Sequence, residues 1–132
     1  MQYWLSGTDA NVANLVRMLV GRYAAGPRAA LRGTLDPADP EVVPDVGLWH
    51  PVLAGRGIVE SLDALPRPRG AKASVGLLLG RSYLLAGNAA HYAAVVRALE
   101  AQGLAVVPAF ASALDARPAI ERYFLETPRR GA

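Results

Sequence analysis

The sequence predicts an α/β fold with two parallel strands, because two apolar runs flank one helical pattern. Residues 75–79 and 104–110 lack polar alternation, which is typical of strands buried on both faces of a parallel sheet. Between them, a helical pattern runs from about Asn88 to Gln102 and supplies the crossover that parallel strands need. Asn88 is the predicted N-cap and Gly103 the left-handed stop. We therefore predict a βαβ unit of the flavodoxin-like or Rossmann-like kind.

A first helix is predicted over residues 9–23. Thr8 or Asp9 is its predicted N-cap, and Gly26 with Pro27 ends it. The preceding letters QYWLSG are interpreted as the last turn of another helix. The spacing i, i+3, i+4, i+7, i+11 marks one apolar helix face, formed by Val12, Leu15, Val16, Leu19 and Tyr23.

The middle of the chain is predicted to be largely extended. Residues 33–51 contain four prolines, which forbid a long helix. A short helix is expected over residues 58–65, followed by a polar linker. Residues 1–70 are thus a helical segment with an extended linker, and residues 71–132 a βαβα half-domain. A last helix is expected from about residue 116 to 125, behind Asp115.

The predicted sheet is incomplete. Both strands need neighbours, and only residues 42–43 or 47–49 offer further strand candidates. We expect a piece of a larger protein, or a chain that completes its sheet with another chain. Pro108 predicts that a hydrogen-bond ladder ends there or borders an edge.

Composition narrows the classes of function. The chain has 132 residues, of which 52% are hydrophobic and 19% charged, as in one domain or part of one. It lacks a membrane-spanning apolar run and a secretory signal, so a cytoplasmic protein is expected. Without cysteine and with two histidines, structural zinc is excluded.

The net charge of +3 comes mainly from arginines scattered through linkers. No helix shows a basic stripe interleaved with aromatic residues, so no nucleic-acid partner is predicted. The charges are interpreted as a solvated surface; a nucleic-acid role, or a patch for an anionic ligand or a partner subunit, stays an alternative.

No nucleotide-binding or nucleophile motif is present. The stretch GRSYLLAG lacks the Gly-Lys-Ser/Thr ending of a phosphate loop, and neither strand is followed by G-x-G-x-x-G. Ser82, His91 and Asp115 are the residue types of a catalytic triad, yet no G-x-S-x-G turn accompanies them. We therefore predict no catalytic residue in this chain.

Five residues are candidates for contacting a ligand. Arg81 and Ser82 follow the first strand, and His91 lies in the first turn of the helix, at the edge where ligands of open α/β sheets bind. Alternatively, Arg81 and Ser82 pin the loop, and His91 is hydrogen-bonded to it. Trp49 and His50 either line an apolar pocket for a flat ligand or anchor the linker to the core.

Three stretches, in order, carry a family resemblance: YWLSGTDANVANLVRMLVGRY, VGLWHP, and VGLLLGRSYLLAGNAAHYAAVVRALEAQGLAVVPAFASALDARPAIERYF. Together they resemble a segment in the amino-terminal half of the magnesium chelatase large (H) subunit, and more distantly the cobaltochelatase (CobN) large subunit. The likeness spans nearly the whole chain. Arg81-Ser82, Gly87 and His91-Tyr92 resemble the magnesium branch, especially its bacteriochlorophyll form.

The resemblance implies part of an enzyme that binds protoporphyrin IX and inserts Mg²⁺. It implies ATP hydrolysis by two AAA+ type partner subunits, I and D, with the remainder of the large subunit as a further partner. Arg81 is then expected to pair with a porphyrin propionate, and His91 to contact the macrocycle or a loop carbonyl.

The chain departs from the family at Gly80, Ala89 and Ala90, where bulkier or acidic residues are common. We therefore expect no metal ligand and no tightly bound cofactor here, and no activity from the chain alone. A cobaltochelatase segment, or a stand-alone flavodoxin-like binding module without catalysis, stays open.

Overall fold

The computed structural model describes residues 2–112 and 114–125. The chain divides into two compact units, one ending at Val43 and the other beginning at Pro44. Across the residues described, no helix is long and apolar enough to cross a membrane. The predicted domain division at residue 70 stays a prediction.

The first unit contains the predicted first helix. A short helix α1 (Gln2–Leu5) precedes α2 (Asp9–Tyr23), and a 3₁₀ segment (Gly26–Leu31) follows. The Oγ1 of Thr8 accepts a hydrogen bond from the backbone N–H of Asn11 at 3.1 Å, which caps α2. The helix over residues 9–23, the preceding helical turn and the Thr8 cap are confirmed.

The buried face of α2 is polar. The Asn11 amide accepts a hydrogen bond from the Glu41 N–H at 2.8 Å and donates one to the Glu41 carbonyl at 2.9 Å. It also donates to the Ser6 carbonyl at 2.6 Å, and Asn14 accepts from the Ala38 N–H at 3.1 Å. The two asparagines thus bind the backbone of the extended, proline-rich segment.

The apolar face of α2 lies on the surface. Its side chains are 42–66% exposed at Val12, Val16, Leu19 and Tyr23. This reverses the usual arrangement of a surface helix, in which the apolar stripe faces the core.

The second unit is a mixed α/β layer structure around one sheet. The four strands identified among the described residues are β1 (Val46–Trp49), β2 (Ile58–Val59), β3 (Ala73–Gly80) and β4 (Leu104–Ala111). Their order in the sheet is β2-β1-β4-β3. Strands β3 and β4 are parallel over eight residue pairs, whereas β1 is antiparallel to both β4 and β2.

Helices cover the two faces of this sheet. On the face covered by α4 (residues 90–101) a cluster contains Leu79, Val96 and Phe110. On the face covered by α5 (residues 117–123), Leu48 and Tyr123 pack together. The helices of this unit are α3 (Arg81–Leu85), α4 (Ala90–Ala101) and α5 (Arg117–Tyr123).

The βαβ unit with parallel strands is confirmed, but the surrounding sheet is mixed. The predicted helix over residues 58–65 is wrong: β2 and a 3₁₀ turn (Leu62–Ala64) occupy it. Its two β-branched residues pair with β1, as extended backbone favours. Of the further strand candidates, residues 47–49 lie in β1.

Helix α4 begins two residues later than predicted. Its N-cap is Ala89, without a side-chain hydrogen bond, so the prediction of an Asn88 cap is wrong. Gly87 has a φ of +68°, and the chain turns there before α4 begins. Gly103, with a φ of +80°, ends the helix as predicted.

Pro108 lies where one ladder stops. Strand β4 pairs with β1 only through Ala109, Phe110 and Ala111. Because proline has no N–H to donate, its position just before this antiparallel segment fits the predicted end of a ladder.

Candidate functional site

Arg81 follows β3 and holds the segment that leads into β1. Its Nε donates a hydrogen bond to the Pro44 carbonyl at 2.9 Å, and its Nη2 lies 3.8 Å from Oδ1 of Asp45. The side chain is only 12% exposed. Of these two contacts, the charge-assisted bond to the backbone carbonyl contributes more, since the carboxylate of Asp45 is exposed.

Ser112 approaches Asp45 from the neighbouring strand. Its hydroxyl donates to Oδ1 of Asp45 at 2.8 Å. Arg81 and Ser112 follow β3 and β4 respectively, so the carboxyl ends of the two parallel strands converge on Asp45. Sequence reasoning missed both Asp45 and Ser112, because nothing in the proline-rich segment indicated pairing with β4.

Three aromatic rings form a cluster beside this edge. The ring centroids of His91 and Tyr92 are 4.0 Å apart, and the Tyr83 centroid lies 5.3 Å from that of His91. The Tyr92 hydroxyl accepts a hydrogen bond from the Gly80 N–H at 3.0 Å. A Cβ at Gly80 would lie 3.1 Å from Tyr83 Cδ2 and 3.2 Å from Tyr92 Oη. Glycine at position 80 therefore lets both tyrosines close over the strand end.

Ser82 and His91 are exposed at the same end of β3. The Tyr83 ring, 48% exposed, continues this surface. Asp115 does not complete a catalytic triad with Ser82 and His91, because Arg117 binds both oxygens of its carboxylate at 2.8 Å. This pairing lowers the pKa of Asp115, and the same bond raises the pKa of Arg117.

Trp49 lies in the core. Its side chain is 6% exposed and belongs to the cluster on the α4 face of the sheet. This burial fits the anchoring alternative, in which the indole holds the segment around β1 against the sheet.

His50 is buried and paired. It is 1% exposed, and its Nε2 lies 3.0 Å from Oε1 of Glu100 in the last turn of α4. Its Nδ1 accepts from the Val52 N–H at 3.4 Å, so Nε2 carries the proton that is donated to Glu100. Nothing in the sequence indicates this contact, because fifty residues separate the two partners.

The loop after β1 closes on His50. The backbone N–H of His50 donates a hydrogen bond to the Gly57 carbonyl at 2.9 Å, and the His50 carbonyl accepts one from the Leu53 N–H at 3.2 Å. Gly57 has a φ of +73°, and a Cβ there would lie 2.6 Å from the His50 carbonyl oxygen. The chain therefore needs glycine at position 57.

Trp49 and His50 line a cleft of about 240 Å³. Arg56 from the loop and Ala90 and Ala93 from α4 complete its walls, together with other small residues. Arg81, Ser82 and His91 are not among its lining residues. The structure thus separates the five candidates into two groups within this unit.

These two groups can bind a molecule more readily than they can transform one. Within residues 2–112 and 114–125, no cluster of three His, Cys, Asp or Glu side chains could hold a metal ion. The carboxylates of Asp115 and Glu100 are already engaged by Arg117 and His50. The exposed group at the end of β3 offers a ligand the rings of Tyr83 and His91 and the hydroxyl of Ser82.

Comparison with known proteins covers nearly the whole chain. The profile of the CobN/Magnesium Chelatase family matches residues 1–131. The magnesium-chelatase H subunit of Cereibacter sphaeroides is 53% identical over 124 residues, which is 94% of this chain and 10% of that protein. The magnesium-chelatase H subunit of Rhodobacter capsulatus is 50% identical over 93% of the chain, again 10% of the relative.

More distant relatives agree. The chloroplastic magnesium-chelatase protein ChlH of Oryza sativa is 32% identical over 96% of this chain and 10% of its own length. The solved catalytic subunit of cobaltochelatase from Mycobacterium tuberculosis covers 92% of this chain and 9% of its own, with a TM-score of 0.51 and 21% identity, a likeness in fold alone. The chain spans about a tenth of the curated relatives it matches. It belongs to the CobN/magnesium chelatase family.

Proposed function

We propose that these residues work as a segment of the porphyrin-binding large subunit of a magnesium chelatase, which inserts Mg²⁺ into protoporphyrin IX for bacteriochlorophyll synthesis. The observation that carries this is the 53% identity to the Cereibacter sphaeroides relative over 94% of the chain. The proposal includes a cytoplasmic location, the rest of the large subunit as a partner, and two AAA+ type subunits, I and D, that hydrolyse ATP.

Within that enzyme, we assign the segment the role of a pocket wall. Metallation requires bases that remove two pyrrole protons and a route for a cation that prefers oxygen ligands and loses water reluctantly. The carboxylate of Asp115 is bound by Arg117, and that of Glu100 by His50. Neither is an available base, so the isolated chain is expected to be inactive.

The exposed end of β3 suits a flat macrocycle better than the cleft does. The rings of Tyr83 and His91 offer an aromatic edge beside the hydroxyl of Ser82, and aromatic contacts of this kind stabilise stacked ligands. Arg81 would reach a propionate only by sharing or leaving the Pro44 carbonyl. Trp49 and His50 would contact a ligand only within the cleft.

A chimaera tests the porphyrin contacts: the large (H) subunit of Cereibacter sphaeroides with its homologous segment replaced by residues 1–132. Titration with deuteroporphyrin IX, followed by tryptophan fluorescence, gives the Kd. His91→Ala is expected to raise the Kd about twofold to twelvefold, since one aromatic contact contributes about 0.5–1.5 kcal/mol. Ser82→Ala and Arg81→Lys are expected to raise it less.

The matched control is Gln102→Ala, an exposed change just beyond the carboxyl end of α4. An unchanged Kd in all three variants, with circular dichroism showing an intact fold, removes His91, Ser82 and Arg81 from the site. A chimaera that binds no porphyrin, beside a parent subunit that does, contradicts the proposed function.

A further inference from the structure

Strand β3 presents a long open edge. Its eight residues pair one-to-one with β4, from Ala73 opposite Leu104 to Gly80 opposite Ala111. In the part of the chain that the structure describes, no strand pairs with its other edge. Alternate N–H and C=O groups along that edge are therefore available to another strand.

Within the described residues, strand β3 itself carries no charge, proline or bulge of the kind by which proteins protect exposed strand edges. Its sequence, ASVGLLLG, contains no charge and no proline, and its register is continuous. The opposite edge of the same sheet, β2, is by contrast only two residues long. A long, uncharged, regular edge pairs readily with further backbone, so β3 is suited to pairing.

The exposure of the β3 side chains supports the same conclusion. Leu78 is 45% exposed, and Val75 and Leu77 are half-buried. On the α5 face, an open groove of about 490 Å³ runs beside Ser74 and Phe124. Apolar residues on both faces are typical of a strand inside a parallel sheet rather than at its margin.

We propose that an uncharged β-strand from the large-subunit polypeptide outside these 132 residues adds to β3 over residues 73–79. About nine-tenths of each curated relative lies outside the matched segment, and a strand in the same polypeptide has a far higher effective concentration than a second copy. The pairing ends before Gly80, whose N–H is bonded to Tyr92. This rests on family membership and not on porphyrin binding.

Hydrogen–deuterium exchange in the chimaera and in the 132-residue chain tests the proposal without porphyrin. Amides of residues 73–79 that face the open edge are expected to exchange at least about tenfold more slowly in the chimaera than in the 132-residue chain. Amides of residues 95–100 within α4 are the internal control and are expected to differ little. Equal exchange of β3 in both proteins overturns the proposal.

A substitution on the edge strand provides a second readout. Leu78→Lys in the chimaera is expected to restore fast exchange over residues 73–79. The control is Val95→Lys on α4, where an equally exposed apolar residue, 44% against 45%, is changed. If Leu78→Lys leaves the protection intact, or if β3 is protected only in a dimer of the 132-residue chain, the proposed strand is wrong. If the Leu78→Lys chimaera does not fold, the comparison between the unsubstituted chimaera and the 132-residue chain decides whether the proposal holds.

Discussion

The imidazole of His50 and the carboxylate of Glu100 meet at 3.0 Å across fifty residues of chain. His50 leads the loop that follows β1, and Glu100 lies in the last turn of α4. Since the imidazole is almost fully buried, the carboxylate fixes both its tautomer and its orientation. The wall of the cleft that His50 forms thus depends on a contact with α4, which lies far from the β1 loop in the sequence.

Replacing Glu100 should destabilise the fold measurably. Glu100→Ala leaves the buried Nε2–H of His50 without an acceptor and is expected to lower the free energy of unfolding by about 1–3 kcal/mol. Glu100→Gln, which keeps an acceptor, should cost less. Urea unfolding gives the values, with Glu121→Ala on the exposed side of α5 as control. Equal losses for Glu100→Ala and Glu121→Ala would show that the pair is unimportant.

Two glycines of the loop after β1 form a matched pair. Both have positive φ, +64° at Gly55 and +73° at Gly57, but only Gly57 would bring a Cβ against backbone, at 2.6 Å from the His50 oxygen. Gly55→Ala should cost about 1 kcal/mol for the left-handed conformation alone. Gly57→Ala should cost clearly more, as measured by thermal unfolding. Similar costs at both positions would contradict the close approach.

The side chain of Asn11 should contribute substantially to the stability of the first unit. Asn11→Ala removes the three hydrogen bonds that its amide makes with the backbone of Ser6 and Glu41. The expected result is faster amide exchange at Glu41 and a loss of about 2–3 kcal/mol in stability. Arg22→Ala, an exposed change on the same helix, is the control. Unchanged exchange at Glu41 would refute the linker contact.

The pH behaviour of Asp115 follows from Arg117. The guanidinium lowers the pKa of Asp115, so this pair adds stability above the pKa of the unfolded state. That stability is lost as the pH falls through the folded pKa. Arg117→Ala should move the carboxyl titration of Asp115 upward, toward the ordinary value for aspartate. Carbon-13 NMR of the Asp115 carboxyl group measures this titration. An unchanged midpoint in Arg117→Ala would show that the guanidinium does not lower the pKa of Asp115.

Local patterns predicted the parallel strands and the helix between them well. Two unbroken apolar runs joined by a helical period have few alternatives, and Gly103 marks the helix end unambiguously. The same patterns offered residues 47–49 only as one of two further strand candidates, because the four residues of β1 follow a proline-rich segment and pair with residues far along the chain. The wrong helix over residues 58–65 has the same cause: tertiary pairing overrode a weak helical pattern.

Periodicity identified the apolar face of α2 but not what lies against it. The buried side of that helix is the polar one, because Asn11 and Asn14 bind the backbone of the extended segment. Likewise, Arg81 and His91 lie at the predicted sheet edge, yet Asp45, Ser112 and Glu100 could be placed only by the folded chain. Contacts between sequence-distant polar groups leave no periodic pattern.

Magnesium insertion by the chimaera tests most directly whether these residues work as a chelatase segment. With the I and D subunits of Cereibacter sphaeroides, ATP, Mg²⁺ and deuteroporphyrin IX, the chimaera should form the magnesium porphyrin at a rate within about tenfold of the parent, or about 1.4 kcal/mol in the barrier. A parent protein lacking the segment should form none. A folded chimaera that binds porphyrin but yields no magnesium porphyrin would contradict the assignment.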